Sequence, residues 1–166
     1  DIKPLDSISF PLFASFGAKC SNVAAMRSFG FPEGTIPNGF GIPFYYYHEF
    51  MLFNNFYEEA QVMIDNPAFQ YDINFRTERL ESFRQAIKDA PMPQWMMDNL
   101  QAMHDDFPEG TAVRCRSSTN NEDLPGFSGA GLYTSKTQNL DEGHISKSIK
   151  QIYASMWNFR AYEERD

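Results

Sequence analysis

Thr111-Ala112-Val113-Arg114-Cys115-Arg116 follows the turn-forming Pro108-Glu109-Gly110 and alternates in character from one residue to the next. A period of two places Ala112, Arg114 and Arg116 on one face and Val113 and Cys115 on the other, so the segment reads as a strand. Ser117 to Gly131 is polar and glycine-bearing, and Leu132 to Thr137 is positioned to return as a second strand. Two alternating runs joined through glycines predict an antiparallel pair. The other periodic segments are helical, which makes the fold class α+β, a small antiparallel or mixed sheet packed with helices on one face.

Outward from the strands, the period lengthens to that of a helix. Gln94 to His104 carries Met96, Met97, Leu100 and Met103 as an apolar stripe opened by Pro93. Thr77 to Ala90 does the same with Leu80, Phe83 and Ile87. Tyr45 to Ile64 reads as one aromatic-rich helix closed by Asn66-Pro67, and Phe40-Gly41-Ile42 as a short extended run before it. Ser21 is placed to cap a short helix bearing Val23, Ala24, Met26 and Phe29 and ended by Gly30, which leaves Lys19 just before the helix start. Asp141 is read as the start of a final helix, with Ile145, Ile149, Ile152 and Met156 on one side. Residues 1 to 16 lack a clear period and read as an entry segment. No internal repeat or low-complexity tract is present.

At 166 residues the chain is long enough for one domain with one core. With 42% hydrophobic and 22% charged residues, it lacks the composition of a disordered chain. The 16 Phe and 8 Tyr supply the large rings from which a well-packed interior is built. Lys+Arg 14 against Asp+Glu 22 leaves a net charge of -8, which excludes generic phosphate-backbone binding to nucleic acid, so any phosphate site must be local. Cys20 and Cys115 form neither a disulfide framework nor a zinc-ligand spacing. No apolar run approaches the roughly 18 residues of a membrane span and no secretory signal opens the chain, so the expected location is cytoplasmic. The chain opens on Asp1 and ends in Tyr162-Glu163-Glu164-Arg165-Asp166, and is expected to be a piece of a longer protein, residues 1-166 forming one partial domain.

The chemistry concentrates in Arg114-Cys115-Arg116-Ser117-Ser118-Thr119 and the loop beyond it. An arginine at a strand end offers a planar fork of donors able to hold two phosphate oxygens. Ser128-Gly129-Ala130-Gly131 is small enough for backbone N–H groups to approach an anion and form a nest. The alternative is a hairpin with a hydrophilic loop and two exposed arginines. Lys19 lies in Gly17-Ala18-Lys19-Cys20-Ser21, which is not a Walker loop, and alone reads as a surface lysine. His48, His104 and His144 are isolated in sequence and read as surface or helix-face residues, and Asp105-Asp106 and Glu122-Asp123 as solvated turn or cap pairs.

Taken together, Gly17 to Asn22, Ile36-Pro37-Asn38-Gly39-Phe40, Val113 through Pro125 with Phe127-Ser128-Gly129, and Tyr153 to Ala161 resemble, in order and approximate spacing, the N-terminal nucleotide-binding domain of the dikinases. That family includes phosphoenolpyruvate synthase, pyruvate phosphate dikinase and the α-glucan water dikinases. The resemblance spans roughly residues 15 to 166 and implies an ATP-grasp fold whose glycine-rich hairpin covers the ATP phosphates. It implies phosphate contacts from Lys19 and Arg116, with Ser128, Gly129, Ala130 and Gly131 in the covering loop. It also implies transfer of the ATP β-phosphate to a histidine on a swivelling domain and then to an acceptor. The Mg2+ ligands, the second ATP-grasp subdomain and that histidine are expected outside this chain.

Three departures from the pattern bear on the reading. Ala18 stands at the second glycine of the lysine motif, where it is expected to hold a nucleotide slightly further away. Arg114 competes with Arg116 for the phosphate. The loop Ser128 to Tyr133 looks nearer the glucan water dikinases than the synthases, which leaves open a pyruvate-type acceptor, a glucan acceptor, or a non-catalytic nucleotide-binding module. With half of the cleft expected elsewhere, the isolated chain is expected to bind ATP poorly and not to turn it over.

Overall fold

A computed structural model of the chain describes residues 1–120 and 134–163. The entry segment is more ordered than its sequence predicts. β1 (Lys3–Pro4) is followed by two 3-10 turns, Leu5–Ser7 and Phe10–Leu12, then α1 (Phe13–Phe16) and α2 (Ala18–Arg27). β2 (Phe40–Gly41) returns antiparallel to β1, as the extended reading of residues 40 to 42 predicts.

The next helices are α3 (Phe44–Phe53), α4 (Phe56–Asp65), α5 (Pro67–Tyr71), α6 (Ile73–Asp89) and α7 (Gln94–Asp105). The expected single helix over 45 to 64 is therefore two. The break falls at Asn54-Asn55, where Asn55 adopts φ 57, a left-handed conformation that asparagine tolerates better than most residues. The Asn54 side chain holds the bend by donating to the carbonyls of Phe50 and Pro91, each at 3.0 Å. α6 starts four residues before the expected Thr77, because the Asp72 carboxylate accepts from the Asn74 and Phe75 amides. A cap of that kind contributes about 1 kcal/mol.

β3 (Val113–Arg116) and β4 (Ser135–Gln138) form the expected antiparallel pair, with Val113 opposite Gln138 and Arg116 opposite Ser135. α8 (Ser146–Ser155) packs against both strands, and α9 (Phe159–Glu163) follows. The final long helix thus begins at Ser146 and not at Asp141. Gly143 turns the chain at φ 79, and the His144 Nδ1 accepts the Ser146 N–H to cap the helix. Among the described residues the sheets are both two-stranded and antiparallel, and the class is α+β with helix predominating.

Two hydrophobic clusters organise the chain. The larger gathers α3 to α8 and Val113 around fully buried Phe50, Phe69, Phe83, Met96 and Leu100. Phe83 meets Phe56 and Trp157 edge-on, with ring centroids 5.5 and 4.9 Å apart, the geometry that aromatic quadrupoles favour. The smaller cluster, Leu5, Ile8, Phe16 and Ala24, is contributed by the first turns and α2. No described helix is long and apolar enough to cross a membrane.

Candidate functional site

The strand alternation sets the face that matters. Val113 is buried and Cys115 packs on the larger cluster, whereas Arg114 and Arg116 point outward. Burial pushes the Cys115 thiol up to about 11. Arg114 donates from Nη1 to Thr137 Oγ1, its cross-strand partner, at 3.0 Å. The Arg116 side chain makes no hydrogen bond or ion pair with the described residues. Of the two competing arginines, Arg116 is the one whose guanidinium is not engaged by another described residue.

β4 is held firmly behind these side chains. Gln138, fully buried, donates to the Gly143 carbonyl at 3.1 Å and accepts from the Ser148 hydroxyl on α8. Lys136 pairs with Glu142 at 2.9 Å. The Asn139 N–H and the Lys136 ammonium hold the Glu142 carboxyl below its usual range.

Lys19 lies in the first turn of α2, exposed, and not before the helix as the capping reading of Ser21 predicts. Ser21 is fully buried inside the helix, and the N-cap is Gly17 at φ 84, ψ 157. That backbone conformation is almost closed to residues with a Cβ. The capping acceptor comes from far along the chain. Ser118 Oγ accepts the Cys20 N–H at 2.9 Å across 98 positions of sequence, and the Thr119 carbonyl accepts the Ala18 N–H at 3.3 Å. A Cβ on Gly17 would lie 2.6 Å from both the carbonyl carbon and oxygen of Ser118, so helix and loop are in contact with no space between them.

This seam brings the segments bearing Lys19 and Arg116 together at the joint between the two hydrophobic clusters. The amides of Ala18 and Cys20 are already occupied by Thr119 and Ser118, so neither belongs to a nest of free N–H groups at the start of α2. The need for glycine falls on position 17, and Ala18 sits within the helix, where alanine is favourable.

The other end of α2 fixes a second motif. Arg27 donates to the carbonyls of Ile36 and Pro37, each at 2.9 Å, and to Asn38 Oδ1, while pairing with Asp6. Three separated sequence motifs therefore converge on one helix.

Residues 13–166 match the family described as pyruvate phosphate dikinase, AMP/ATP-binding domain. The chain belongs to this dikinase family. It is similar to a probable phosphoenolpyruvate synthase of Staphylothermus marinus, with 26% identity over 164 residues, covering 95% of this chain and 19% of the relative. The chain thus spans about a fifth of that relative's length.

Within this dikinase AMP/ATP-binding domain, Tyr153 to Ala161 is a packing motif. Tyr153 is buried against Tyr47 and Phe50, and Trp157 donates from Nε1 to the Tyr47 hydroxyl at 2.9 Å. His144 is used structurally, its Nε2 facing the Met97 carbonyl at 3.1 Å, and His48 lies beside the Tyr57 hydroxyl. Asp105 accepts from Gln101 one turn before it in α7. No cluster of three His, Cys, Asp or Glu that could hold a metal occurs among the described residues. Glu122, Asp123 and the loop Ser128-Gly129-Ala130-Gly131 lie outside the described residues. Sequence reasoning missed Gly17 and Ser118, although the glycine two residues before Lys19 and the serine two after Arg116 were the available signals.

Proposed function

We propose that this chain is the phosphate-facing first subdomain of an ATP-grasp nucleotide site, in a longer protein that moves the ATP β-phosphate to a histidine on a swivelling domain, with AMP leaving and the γ-phosphate passing to water. A pyruvate-type acceptor, as in phosphoenolpyruvate synthases, then takes the phosphate. Lys19 and Arg116 contact the phosphate chain, and Ser128 to Gly131 close over it with backbone N–H donors.

The observation that carries this reading is the Gly17–Ser118 seam. Lys19 and Arg116 are both exposed and are carried on segments hydrogen-bonded to each other, so one phosphate chain laid along the seam can be reached from both sides by positive side chains. Phosphoryl transfer depends chiefly on placing and neutralising charge, and a lysine, an arginine fork and loop amides supply those functions. The resemblance assigns the Mg2+ carboxylates to parts of the protein outside this chain, and no step is routed through that ion here. A glucan acceptor fits the same phosphate geometry. The reading of a non-catalytic module drew on the altered loop and on Ala18, and of these Ala18 has its N–H engaged by Thr119 in a regular helix.

The test is phosphohistidine formation in the full-length protein supplied with ATP labelled at the β-phosphate. Label on a histidine, strongly reduced by Arg116→Ala, is the expected result. Normal labelling in the Arg116→Ala protein would overturn the assignment.

A further inference from the structure

We propose that Ser118 is a positioning residue for the nucleotide site. By accepting the Cys20 N–H, its hydroxyl fixes the first turn of α2 to the loop behind Arg116, so that Lys19 and Arg116 meet one phosphate chain at a set spacing. This inference rests on the function proposed above.

The two cations belong to different parts of the core. Lys19 rides on α2, which is packed by Leu5, Ile8 and Phe16, and Arg116 rides on a strand anchored in the larger cluster through Val113. Packing inside either cluster leaves the distance between the cations unspecified. The hydrogen bonds of the seam specify it, because Ala18 and Cys20, one on each side of Lys19, are tied to Thr119 and Ser118. Gly17 sets the closest approach, since its missing side chain lets the Ser118 backbone sit against α2.

A neutral hydroxyl is the suitable acceptor here. It satisfies an orphan amide of the helix start, as a cap residue does, without adding a negative charge beside a phosphate site. A displacement of about 1 Å in a group that binds a transferring phosphate can cost on the order of a hundredfold in rate. A bond that shares in fixing that placement therefore has a functional effect larger than its effect on folding.

The experiment compares Ser118→Ala, Ser118→Thr, Lys19→Ala, Arg116→Ala and the Lys19→Ala/Ser118→Ala double variant in the full-length protein. It measures ATP affinity by calorimetry, exchange of the Cys20 amide proton, and melting temperature. Ser118→Ala is expected to speed Cys20 amide exchange and to weaken ATP binding roughly tenfold, with Ser118→Thr restoring most of both. In the Lys19→Ala background the same change should weaken ATP by less than about twofold, because coupled residues are not additive.

Faster Cys20 exchange with unchanged ATP affinity, or equal losses in both backgrounds, overturns the positioning role. If Lys19→Ala and Arg116→Ala weaken binding while Ser118→Ala does not, this proposal fails and the functional reading stands. If neither cation matters to ATP binding, the functional reading fails and the positioning role fails with it. Should Ser118→Ala not fold, Ser118→Cys, of similar volume but a weak acceptor, carries the same comparison.

Discussion

Gly17 and Ser118 are in direct contact, so that a Cβ added to Gly17 would lie 2.4 Å from the Ser118 hydroxyl oxygen and 2.6 Å from its backbone. The glycine also holds φ 84. Gly17→Ala therefore meets two penalties, a backbone conformation costing about 1–3 kcal/mol for a residue with a Cβ and a collision with main chain that cannot swing aside. Gly110 provides the control, because its φ is 82 and nothing lies within 4 Å of its added Cβ. Denaturant unfolding should show Gly110→Ala losing only the backbone penalty and Gly17→Ala at least about 1 kcal/mol more. Equal losses would mean that the seam is looser than described.

Cys115 gives a pH-dependent signature. Its thiol ordinarily titrates near 9.0 and burial raises it to about 11, so the folded chain holds that proton more tightly than the unfolded one. The associated stability is fully present below pH 9 and is lost as pH rises through 11, amounting to roughly 2–3 kcal/mol. Alkylation of Cys115 at pH 8 should be slow in the folded chain and rapid once denaturant is added. Replacement by alanine should flatten the stability profile between pH 9 and 11, and an unchanged profile would contradict the burial of this side chain.

Glu142 works in the opposite direction. The Asn139 N–H, and after it the Lys136 side chain, hold its carboxyl below the usual 4.5. Its contribution is present above that value and disappears as pH falls through the lower folded value. Thermal melts of the native chain and Glu142→Gln should accordingly differ most near neutrality and converge once the pH has fallen through the lowered folded value. A gap that persists at low pH would assign the effect to packing and not to charge.

The sequence made the β3 alternation legible because a strand writes its two faces directly into neighbouring residues, and Arg114 and Arg116 lie outward as Val113 and Cys115 lie inward. The helices over α6 and α7 were legible for the same reason at a longer period. The break at Asn54-Asn55 was not, since aromatic residues on both sides continue the apolar pattern across it and a backbone angle at one asparagine decides the outcome. The cap of α2 was misread because local rules favour Ser21, whereas the acceptor is Ser118, 98 positions away from its donor. Long-range contacts of this kind leave no periodic trace. Lys19 and Arg116 were named through a resemblance between motifs, and only the folded chain supplies a physical connection between their segments.

The choice between Arg114 and Arg116 yields the last prediction. Arg114 is engaged by Thr137 at 3.0 Å on the sheet surface, and freeing it for a ligand would sacrifice that bond. Arg116 has no such partner among the described residues and adjoins the loop that grips α2. A charge-assisted hydrogen bond is worth about 1.5–3 kcal/mol, so Arg116→Ala should weaken ATP binding by roughly ten- to a hundredfold in the full-length protein. Arg114→Ala should weaken it by less than about threefold and lower the melting temperature slightly through loss of the Thr137 contact. Arg116→Lys keeps the charge but loses the fork, and should recover only part of the affinity. Titrations in which Arg114→Ala is the more damaging change would move the phosphate contact to Arg114, two residues back along the same exposed face of β3.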